Sequence, residues 1–389
     1  MALPHCHIIG STGTGKSTLI KQRIFDDLTA GRGLFYLDPH GSDADHILSL
    51  IPRERLADVV LFDISDSEHP VRFNPLRAPG EVPFVATTLV EAIKDAWGYS
   101  GVSTPTMDQY LFNATYALIE AKQPLLGLKF LLTPHATRYR RRVLKSVTDP
   151  IVKDFWLDFE RLPEKDKRET TRSTLNKIGM LMADRRVRNT IGQPKTSFTF
   201  TDILEDNRVF IARLPQGKLG ISKVKLVGML LLTQLHLAAL SRQSTEPFHV
   251  YLDEVHHFAG ATLAELLSGV RKFGLSLTVA HQYLAQLSPA LREAVLGNTS
   301  LRYIFRVSST DAKRLETIVG QNQLLTDLNQ LPRFRARVVS DERPEEVDIV
   351  PDLPEPDPKT AEKVRYANHR IASDPAQVEE YVRRFIEKT

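Results

Sequence analysis

A phosphate-loop pattern near the beginning of the sequence constrains the fold more than any other feature. Residues Gly10–Ser17 read GSTGTGKS, which matches a glycine, any four residues, Gly-Lys and then Ser or Thr. The pattern follows a strand-like run, His5–Ile9, and precedes a helical stretch, Leu19–Thr29. Because strand, glycine loop and helix in this order distinguish a true phosphate loop from a chance match, we prefer it over a coincidental glycine-rich turn.

The residue types of this loop suit a nucleoside triphosphate with Mg²⁺. Its glycines allow backbone angles that are closed to other residues, so that N–H groups can approach phosphate oxygens. The helix that begins near Lys16 adds the positive end of its dipole. Lys16 is predicted to reach the β- and γ-phosphates, and Ser17 to place its hydroxyl on Mg²⁺. The predicted nucleotide-binding residues are Gly10, Ser11, Thr12, Gly13, Thr14, Gly15, Lys16, Ser17 and Thr18.

Two carboxylates at the end of a later strand-like run form a second candidate cluster. Asp253 and Glu254 directly follow the β-rich run His249–Leu252. In a P-loop enzyme, an acid at the end of a neighbouring strand organises Mg²⁺, and a second acid polarises the attacking water. We therefore predict that Asp253 binds the metal with Ser17 and that Glu254 acts on the water. The alternative is an ordinary strand-end turn.

A polar residue ends the next strand-like run. Gln282 follows Leu277–Ala280 and His281, and its amide carries both a donor and an acceptor. Such a side chain can sense the γ-phosphate or the water. His281 is the competing candidate, and we prefer Gln282.

Hydrolysis also benefits from a cation on the developing charge, often an arginine from a neighbouring subunit. The first candidate is Arg271, just before the Gln282 strand; Arg302 and Arg306 are weaker candidates. For each of them, the alternative is an ordinary surface charge.

The order of strand-like and helical runs predicts an α/β fold: a RecA-like P-loop NTPase core with a mainly parallel sheet, interrupted by an all-α inserted domain. The predicted strands are His5–Ile9, Leu34–Leu37, Val59–Asp63, Arg208–Leu214, Phe248–Leu252, Ser276–Ala280 and Arg302–Val307. The predicted parts are 1–83 (first part of the core), 84–195 (all-α insertion), 196–340 (second part of the core) and 341–389 (Pro- and acid-rich linker and C-terminal helix). In the C-terminal helix, the predicted docking stripe is Val378, Tyr381, Val382, Phe385 and Ile386.

Composition narrows the class of protein and its partners. The 389 residues are 42% hydrophobic and 25% charged, as in a globular protein, and the one cysteine, Cys6, excludes an internal disulfide. The longest apolar run, Leu226–Leu240, is predicted to be a buried helix rather than a membrane span. Residues 134–195 contain 16 Lys and Arg against 8 Asp and Glu, which favours a polyanion partner around Arg138–Arg142. A solvated helical surface is the alternative for these charges.

With these residues in hand, the chain resembles the FtsK/HerA superfamily of ring-forming P-loop ATPases, and within it the coupling proteins of conjugative type IV secretion systems. The resemblance rests on an ordered set of segments: GSTGTGKST, LDPHG (37–41), RFNPL (72–76), YLDEVHHFA (251–259), VRKFGLSLTVAHQYLAQL (270–287) and GNTSLRYIFRVSSTDAKRLE (297–316). A helical insertion lies where coupling proteins have an all-α domain. The N-terminal membrane anchor usual in coupling proteins and the β-barrel usual in HerA-type translocases are not found before the loop.

The resemblance implies a hexameric ring that uses ATP and Mg²⁺ to move DNA through its channel. It implies that Lys16, Ser17, Asp253, Glu254 and Gln282 carry the chemistry, and that Arg271 acts across the subunit interface. The implied partners are DNA, single- or double-stranded, and a secretion-system protein, relaxase or nuclease. The expected location is the cytoplasm, or the inner membrane through a partner.

Other functions remain open at this point. One is a protein-translocating or assembly ATPase of a type IV secretion system, and another is a HerA-type translocase in DNA repair or defence. A nucleotide-gated scaffold with little turnover is a third, which the presence of Lys16, Asp253, Glu254 and Gln282 disfavours.

Overall fold

A computed structural model describes residues 4–319, 327–340, 345–349 and 352–388. By contacts within the chain, these residues form two compact units. The first consists of 1–62, 202–224 and 242–368, and the second of 63–201, 225–241 and 369–389. The four-part domain division remains a prediction.

The first unit is built on a 9-stranded sheet. The strands are β1 His5–Ile9, β2 Gly33–Asp38, β3 Val59–Asp63, β4 Val209–Arg213, β5 Phe248–Leu252, β6 Leu275–His281, β7 Thr299–Ile304, β8 Arg335–Val339 and β9 Glu345–Asp348. Their order in the sheet is β3-β4-β2-β5-β6-β1-β7-β8-β9. From β4 to β7 the pairs are parallel, whereas β7–β8 and β8–β9 are antiparallel. The predicted mainly parallel α/β fold is confirmed.

The helices flank the strands or form the second unit. Their bounds are α1 Lys16–Thr29, α2 Ser42–Leu48, α3 Val82–Ala96, α4 Pro105–Glu120, α5 Gly127–Leu132, α6 Thr137–Leu144, α7 Pro150–Arg161, α8 Glu164–Ala183, α9 Arg185–Ile191, α10 Phe200–Glu205, α11 Gln216–Leu219, α12 Ile221–Leu240, α13 Ala261–Gly269, α14 Pro289–Asn298, α15 Ser309–Val319, α16 Pro358–Asn368 and α17 Pro375–Glu387.

The central strands are mainly apolar and buried along their length, as expected for parallel strands in the interior of a sheet. Every residue of β1, β2, β5 and β6 is buried. Residues of α1, including Ile20 and Ile24, pack in one core cluster with Ile8 of β1 and Tyr36 of β2. Since parallel strands end at the same edge, the C-terminal ends of β1, β5 and β6 bring three predicted site segments together.

Between 63 and 201 the chain forms no β-strand, only an isolated bridge from Val71 to Ala372. The helical insertion predicted for this part of the sequence is therefore present. In α17, Val378 and Val382 are buried, and the Phe385 ring packs against those of Phe130 and Tyr139. The predicted docking stripe thus contacts the helical unit, although Ile386 is 47% exposed.

Two expectations for the C-terminal part were incomplete. The predicted linker after residue 340 contains a strand, β9, and a helix, α16, whose Val364 belongs to the core cluster. The side-chain amide of Asn368, at the end of α16, makes two hydrogen bonds with the backbone of Leu61. Its oxygen accepts from the Leu61 N–H over 2.9 Å, and its nitrogen donates to the Leu61 carbonyl over 2.7 Å. Part of the predicted linker, residues 341–344 and 350–351, lies outside the described residues. The strand predicted at Arg302–Val307 lies three residues earlier at both ends, at Thr299–Ile304.

One helix of the described chain, α12, is long and apolar enough to cross a membrane by length and composition alone. The apolar window of this helix is 83% buried within the structure, which is the usual situation of a core helix. The prediction of a buried helix at Leu226–Leu240 agrees with this position.

Candidate nucleotide site

The glycine loop lies between β1 and α1 and is attached to the two strands beside β1. The Gly10 N–H donates to the carbonyl of His281, at the end of β6, over 3.4 Å. The Ser11 N–H donates to the carbonyl of Arg306, just beyond β7, over 2.8 Å. A Cβ at Gly10 would lie 2.5 Å from Cβ of Phe305, so only glycine fits there. The loop therefore begins from a fixed position at the C-terminal edge of the sheet.

Two further glycines give the loop its curvature. Gly13 and Gly15 have φ angles of 75° and 122°, which side-chain-bearing residues rarely adopt. Between them, the buried Thr14 hydroxyl donates to the Ser11 carbonyl over 2.8 Å and closes the turn. The helix α1 begins directly after Gly15, as predicted, so its N-terminus points into the loop.

Lys16 lies inside the loop. Its Nζ donates to the carbonyls of Gly10 at 2.7 Å and Ser11 at 3.1 Å, and the residue is 6% exposed. Burial lowers the pKa of Lys16, and the nearby carboxylates of Asp253 and Glu254 oppose that shift. A buried cation held within a phosphate loop is placed to meet the charge of a triphosphate.

Ser17 and Asp253 form the candidate metal site. The Ser17 hydroxyl donates to Oδ2 of Asp253 over 3.3 Å, and Oδ1 of the same carboxylate accepts the Glu254 N–H at 2.8 Å. Burial, reinforced by the charge of Glu254, raises the pKa of Asp253 to about 6. A hydroxyl beside a buried carboxylate fits Mg²⁺, which binds few protein oxygens together with substrate phosphates. No group of three or more His, Cys, Asp or Glu side chains suited to a metal occurs in the described chain.

Glu254, Gln282 and Thr12 form a chain of hydrogen bonds above the loop. The Gln282 amide nitrogen donates to Oε1 of Glu254 over 2.8 Å, and the Thr12 hydroxyl donates to the Gln282 amide oxygen over 3.0 Å. Glu254 is 8% exposed and has a left-handed backbone, with φ of 45°. A strained, non-glycine residue at this position is typical of a functional site. The side chain of Glu254 thus points toward the loop rather than along the strand end.

His281, the competing candidate, does not take part in these hydrogen bonds and lies in the interior of the sheet. It is fully buried, and its Nε2 is 2.7 Å from Nε2 of His7 on β1. Burial lowers the pKa of His281 to about 4. The Nδ1 of His281 lies 3.1 Å from the Tyr283 carbonyl, so Nδ1 carries the proton and Nε2 accepts from His7. The histidine pair therefore ties β6 to β1, whereas Gln282 is the side chain that reaches the loop.

The three candidate arginines have different positions. Arg271 is exposed in a short turn before β6, and the 7 residues of that strand put it about 20 Å from Gln282. The structure of one chain therefore does not bring Arg271 to its own loop. Arg302 is half-buried within β7 and donates to the Leu296 carbonyl over 2.6 Å. Arg306 is exposed, and only its carbonyl contacts the loop.

A residue that the sequence did not indicate also touches the loop. The Phe334 N–H donates to the Thr14 carbonyl over 2.8 Å, and its ring approaches Gly15. A cavity of about 490 Å³ lies next to the hydrogen-bonded side chains of Thr12 and Gln282. Its lining includes Ser11, Thr12, Gln282, Tyr283, Asp311 and Arg314.

Comparison with solved structures identifies the fold. The plasmid coupling protein TrwB in complex with ADP and Mg²⁺ superposes with a TM-score of 0.64 and 15% identity, over 91% of this chain and 87% of that one. The bacterial conjugative coupling protein TrwBdeltaN70, in its unbound monoclinic form, gives a TM-score of 0.61 and 14% identity, over 90% and 86%. The chain has the fold of the coupling protein TrwB. The resemblance noted in the sequence is thereby confirmed for the fold.

A second type of protein shares this fold at lower similarity. VirB4 of Thermoanaerobacter pseudethanolicus gives a TM-score of 0.55 and 14% identity, over 89% of both chains. No protein-family model and no curated protein sequence matches the chain. The likeness is therefore one of structure.

Proposed function

We propose that this protein is an ATP- and Mg²⁺-dependent motor that moves DNA, as in conjugative transfer or a related mobile-element system. The observation that carries the proposal is the arrangement around Lys16: Asp253 and Glu254 from one strand end and Gln282 from the next reach the same loop. Parallel strands and a glycine loop are the parts from which P-loop ATPases build their sites.

The proposed roles follow from the position of each group. Lys16 neutralises the β- and γ-phosphates, and Ser17 with Asp253 holds Mg²⁺. When bound, Mg²⁺ neutralises charge that develops on the phosphate oxygens. Glu254 takes the proton of the attacking water, and Gln282, which already bonds Glu254 and Thr12, orients that water. TrwB has been solved with ADP and Mg²⁺ and with a non-hydrolysable ATP analogue, which supports these ligands.

We propose that DNA is contacted by exposed basic residues of α6 and by Lys145, which directly follows that helix. Within the basic segment, Tyr139 and Arg140 are buried and belong to the interior of the helical unit. Arg138, Arg141 and Lys145 are exposed, and in the described part of the chain no hydrogen bond or ion pair engages their side chains. Their spacing of three and four residues puts them on one helix face. Such a row suits phosphate contacts, which carry little sequence information.

The proposed assembly is a hexameric ring in which Arg271 of one subunit completes the site of the next. The exposed side chain of Arg271, remote from the loop of its own chain, is compatible with a role at a neighbour's site. The proposed partners are DNA and a secretion-system protein, relaxase or nuclease. The proposed location is the cytoplasm, or the inner membrane through a partner.

The decisive experiment measures ATP hydrolysis with and without single- and double-stranded DNA. We expect DNA to stimulate turnover, and we expect stimulation and binding to fall steeply with salt because each phosphate contact releases a counterion. Charge reversal at Arg138 and Arg141 should weaken DNA binding and leave DNA-independent turnover unchanged. A rate of ATP hydrolysis that neither single- nor double-stranded DNA changes at low salt would contradict the proposal that the protein moves DNA. Sedimentation with an ATP analogue tests the ring.

A protein-translocating or assembly ATPase of a secretion system is the second candidate, favoured by the likeness to VirB4. Both candidates require the same ATP chemistry, so only the polymer that stimulates turnover separates them. Stimulation by a protein partner without any effect of DNA would favour the second.

A further inference from the structure

A strained aromatic residue covers one end of the glycine loop. Phe334, just before β8, has a φ angle of 62°, a left-handed conformation that bulky side chains rarely adopt. It is 37% exposed, although large aromatic side chains usually gain from full burial. A strained conformation that keeps a ring partly exposed is a reason to look for a ligand.

Two backbone hydrogen bonds hold Phe334 to the loop and to the sheet edge, and its ring lies against Gly15 and Arg333. Its N–H donates to the Thr14 carbonyl over 2.8 Å, and its carbonyl accepts from the Ile349 N–H over 2.7 Å. A Cβ on Gly15 would lie 3.0 Å from Cδ1 of the ring. The guanidinium of Arg333 lies 4.6 Å from the ring centroid. The ring is therefore positioned by the loop itself.

The direction of a bound nucleotide follows from the other end of the loop. Glu254 and Gln282 meet Thr12, at the start of the loop, so the γ-phosphate belongs there. The α-phosphate then lies toward Gly15 and the start of α1. The nucleoside must leave the loop at this second end, which is the end that Phe334 covers.

We propose that Phe334 is the stacking platform for the purine base of the nucleotide, with Arg333 completing the platform. The proposal rests on the proposed function, because it assumes that the loop binds a nucleoside triphosphate. A ring stacks on the face of a base and does not read its hydrogen-bonding edge, so adenine and guanine nucleotides should both use it. The strained backbone of Phe334 is then explained as the cost of presenting the ring next to Gly15.

A purely structural role is the competing explanation. In that case, Phe334 is a wall that keeps the loop closed, and removing the ring disturbs phosphate binding itself. The two roles differ for a ligand that has phosphates and no base. Inorganic tripolyphosphate is such a ligand, and it makes the comparison possible in one protein.

The experiment measures the dissociation constants of the non-hydrolysable analogues ADPNP and GDPNP and of tripolyphosphate, each with Mg²⁺, by calorimetry on the full chain. The variants are Phe334→Gly, which removes the ring and suits the left-handed backbone, and Phe334→Tyr, which keeps the ring. Removal of the ring should weaken both nucleotides roughly ten-fold and leave tripolyphosphate unchanged. Phe334→Tyr should bind as wild type. Phe84→Ala, at another phenylalanine that is 48% exposed, is the control and should change neither.

Each remaining outcome has a distinct meaning. Equal weakening of nucleotide and tripolyphosphate in Phe334→Gly overturns the platform in favour of the wall, whereas unchanged binding of the nucleotides overturns the platform and the wall alike. A melting temperature near that of wild type shows that the variant is folded; if it is not, Phe334→Asn, which also tolerates the left-handed backbone, replaces it. Wild-type protein that binds none of the three ligands overturns the proposed function instead, before any variant is compared.

Discussion

Each compact unit contains a cluster of buried charge, and the two clusters are neutralised in different ways. In the helical unit, Arg140 is fully buried and donates to Oε1 of Glu160 over 2.6 Å and to the carbonyls of Leu131, Thr133 and Pro134. Burial alone would raise the pKa of Glu160, but Arg140 and Lys167 hold that pKa below its ordinary value. Every charge in this cluster has a partner that stabilises it.

The cluster at the loop lacks such a balance. Two carboxylates, Asp253 and Glu254, are buried beside one lysine whose Nζ bonds backbone carbonyls. Burial and mutual repulsion raise the pKa of Asp253 to about 6, which is the opposite of the shift at Glu160. A cluster balanced within the protein contributes stability, whereas an unbalanced one is suited to receive a cation and a phosphate. Four predictions test this difference.

The largest effect is expected for Glu254→Gln. The amide has the size of the carboxylate but cannot accept the proton of the attacking water, so turnover should fall about 10²–10⁴-fold. Binding of ADPNP should be retained because Gln282 and Lys16 remain. Steady-state hydrolysis and calorimetry measure the two quantities. Glu293→Gln, an exposed carboxylate on α14, is the control; a Glu254 variant as active as this control would remove Glu254 from the proposed chemistry.

Removal of the balanced cation should give the next largest effect. Arg140→Ala removes the donor to three carbonyls and the nearest cation of the Glu160 carboxylate, and we expect a loss of about 3–5 kcal/mol in the free energy of unfolding. The neighbouring Arg141 is exposed, so Arg141→Ala should change stability by less than about 0.5 kcal/mol. Urea unfolding of both variants checks the prediction, and equal midpoints would show that the Arg140 cluster does not stabilise the unit.

Removal of a buried charge at the loop is expected to raise the stability of the protein instead of lowering it. The folded-state pKa of Asp253 is raised from 3.8 to about 6, so at pH 7 the folded protein holds a charge that it disfavours. Asp253→Asn should therefore stabilise the protein without ligands, on the order of 1–3 kcal/mol. It should also abolish the additional stabilisation given by ADPNP with Mg²⁺. Thermal unfolding with and without these ligands tests both parts, and a destabilised variant would contradict the comparison.

The smallest effect concerns the pH dependence of stability. The unfolded chain protonates His281 near pH 6.5, whereas the folded protein protonates it at about 4. Because the unfolded state takes up the proton first, stability should fall as the pH drops from 6.5 toward 4. In His281→Gln this fall should be shallower, while replacement of the exposed His135 should leave it unchanged. Melting temperatures between pH 7 and 5 provide the measurement; parallel curves for both variants would argue against a buried neutral pair.

Much of the site could be predicted because its parts are local in sequence. The glycine loop, the carboxylates after β5 and the glutamine after β6 each follow a buried apolar strand, and parallel pairing alone brings such ends together. The metal pair Ser17 and Asp253 follows from the same rule. Their roles in catalysis remain predictions until the variants are measured.

The parts that could not be predicted depend on pairing between distant segments. The strand β8 (RARVV) is short and alternates charged with apolar residues, and its antiparallel position beside β7 has no local signal. The strand β9 could not be predicted either, because its sequence is acidic and prolines lie on both sides of it. The contact of Phe334 with the loop exists only because β8 joins this sheet edge. The burial of Arg140 could not be predicted because it stands among exposed arginines, and composition does not show which charged side chains are buried.

The position of β1 in the middle of the sheet has a consequence for how the protein is made. In the sheet, β1 lies between β6 and β7, and His7 contacts a histidine 274 positions later. During synthesis, β1 and the glycine loop therefore leave the ribosome well before the strands that hold them. Long-range pairing of this kind slows folding and leaves apolar strand edges uncovered meanwhile. We expect the nascent chain to gain its affinity for nucleotide only after β6 and β7 have been synthesised.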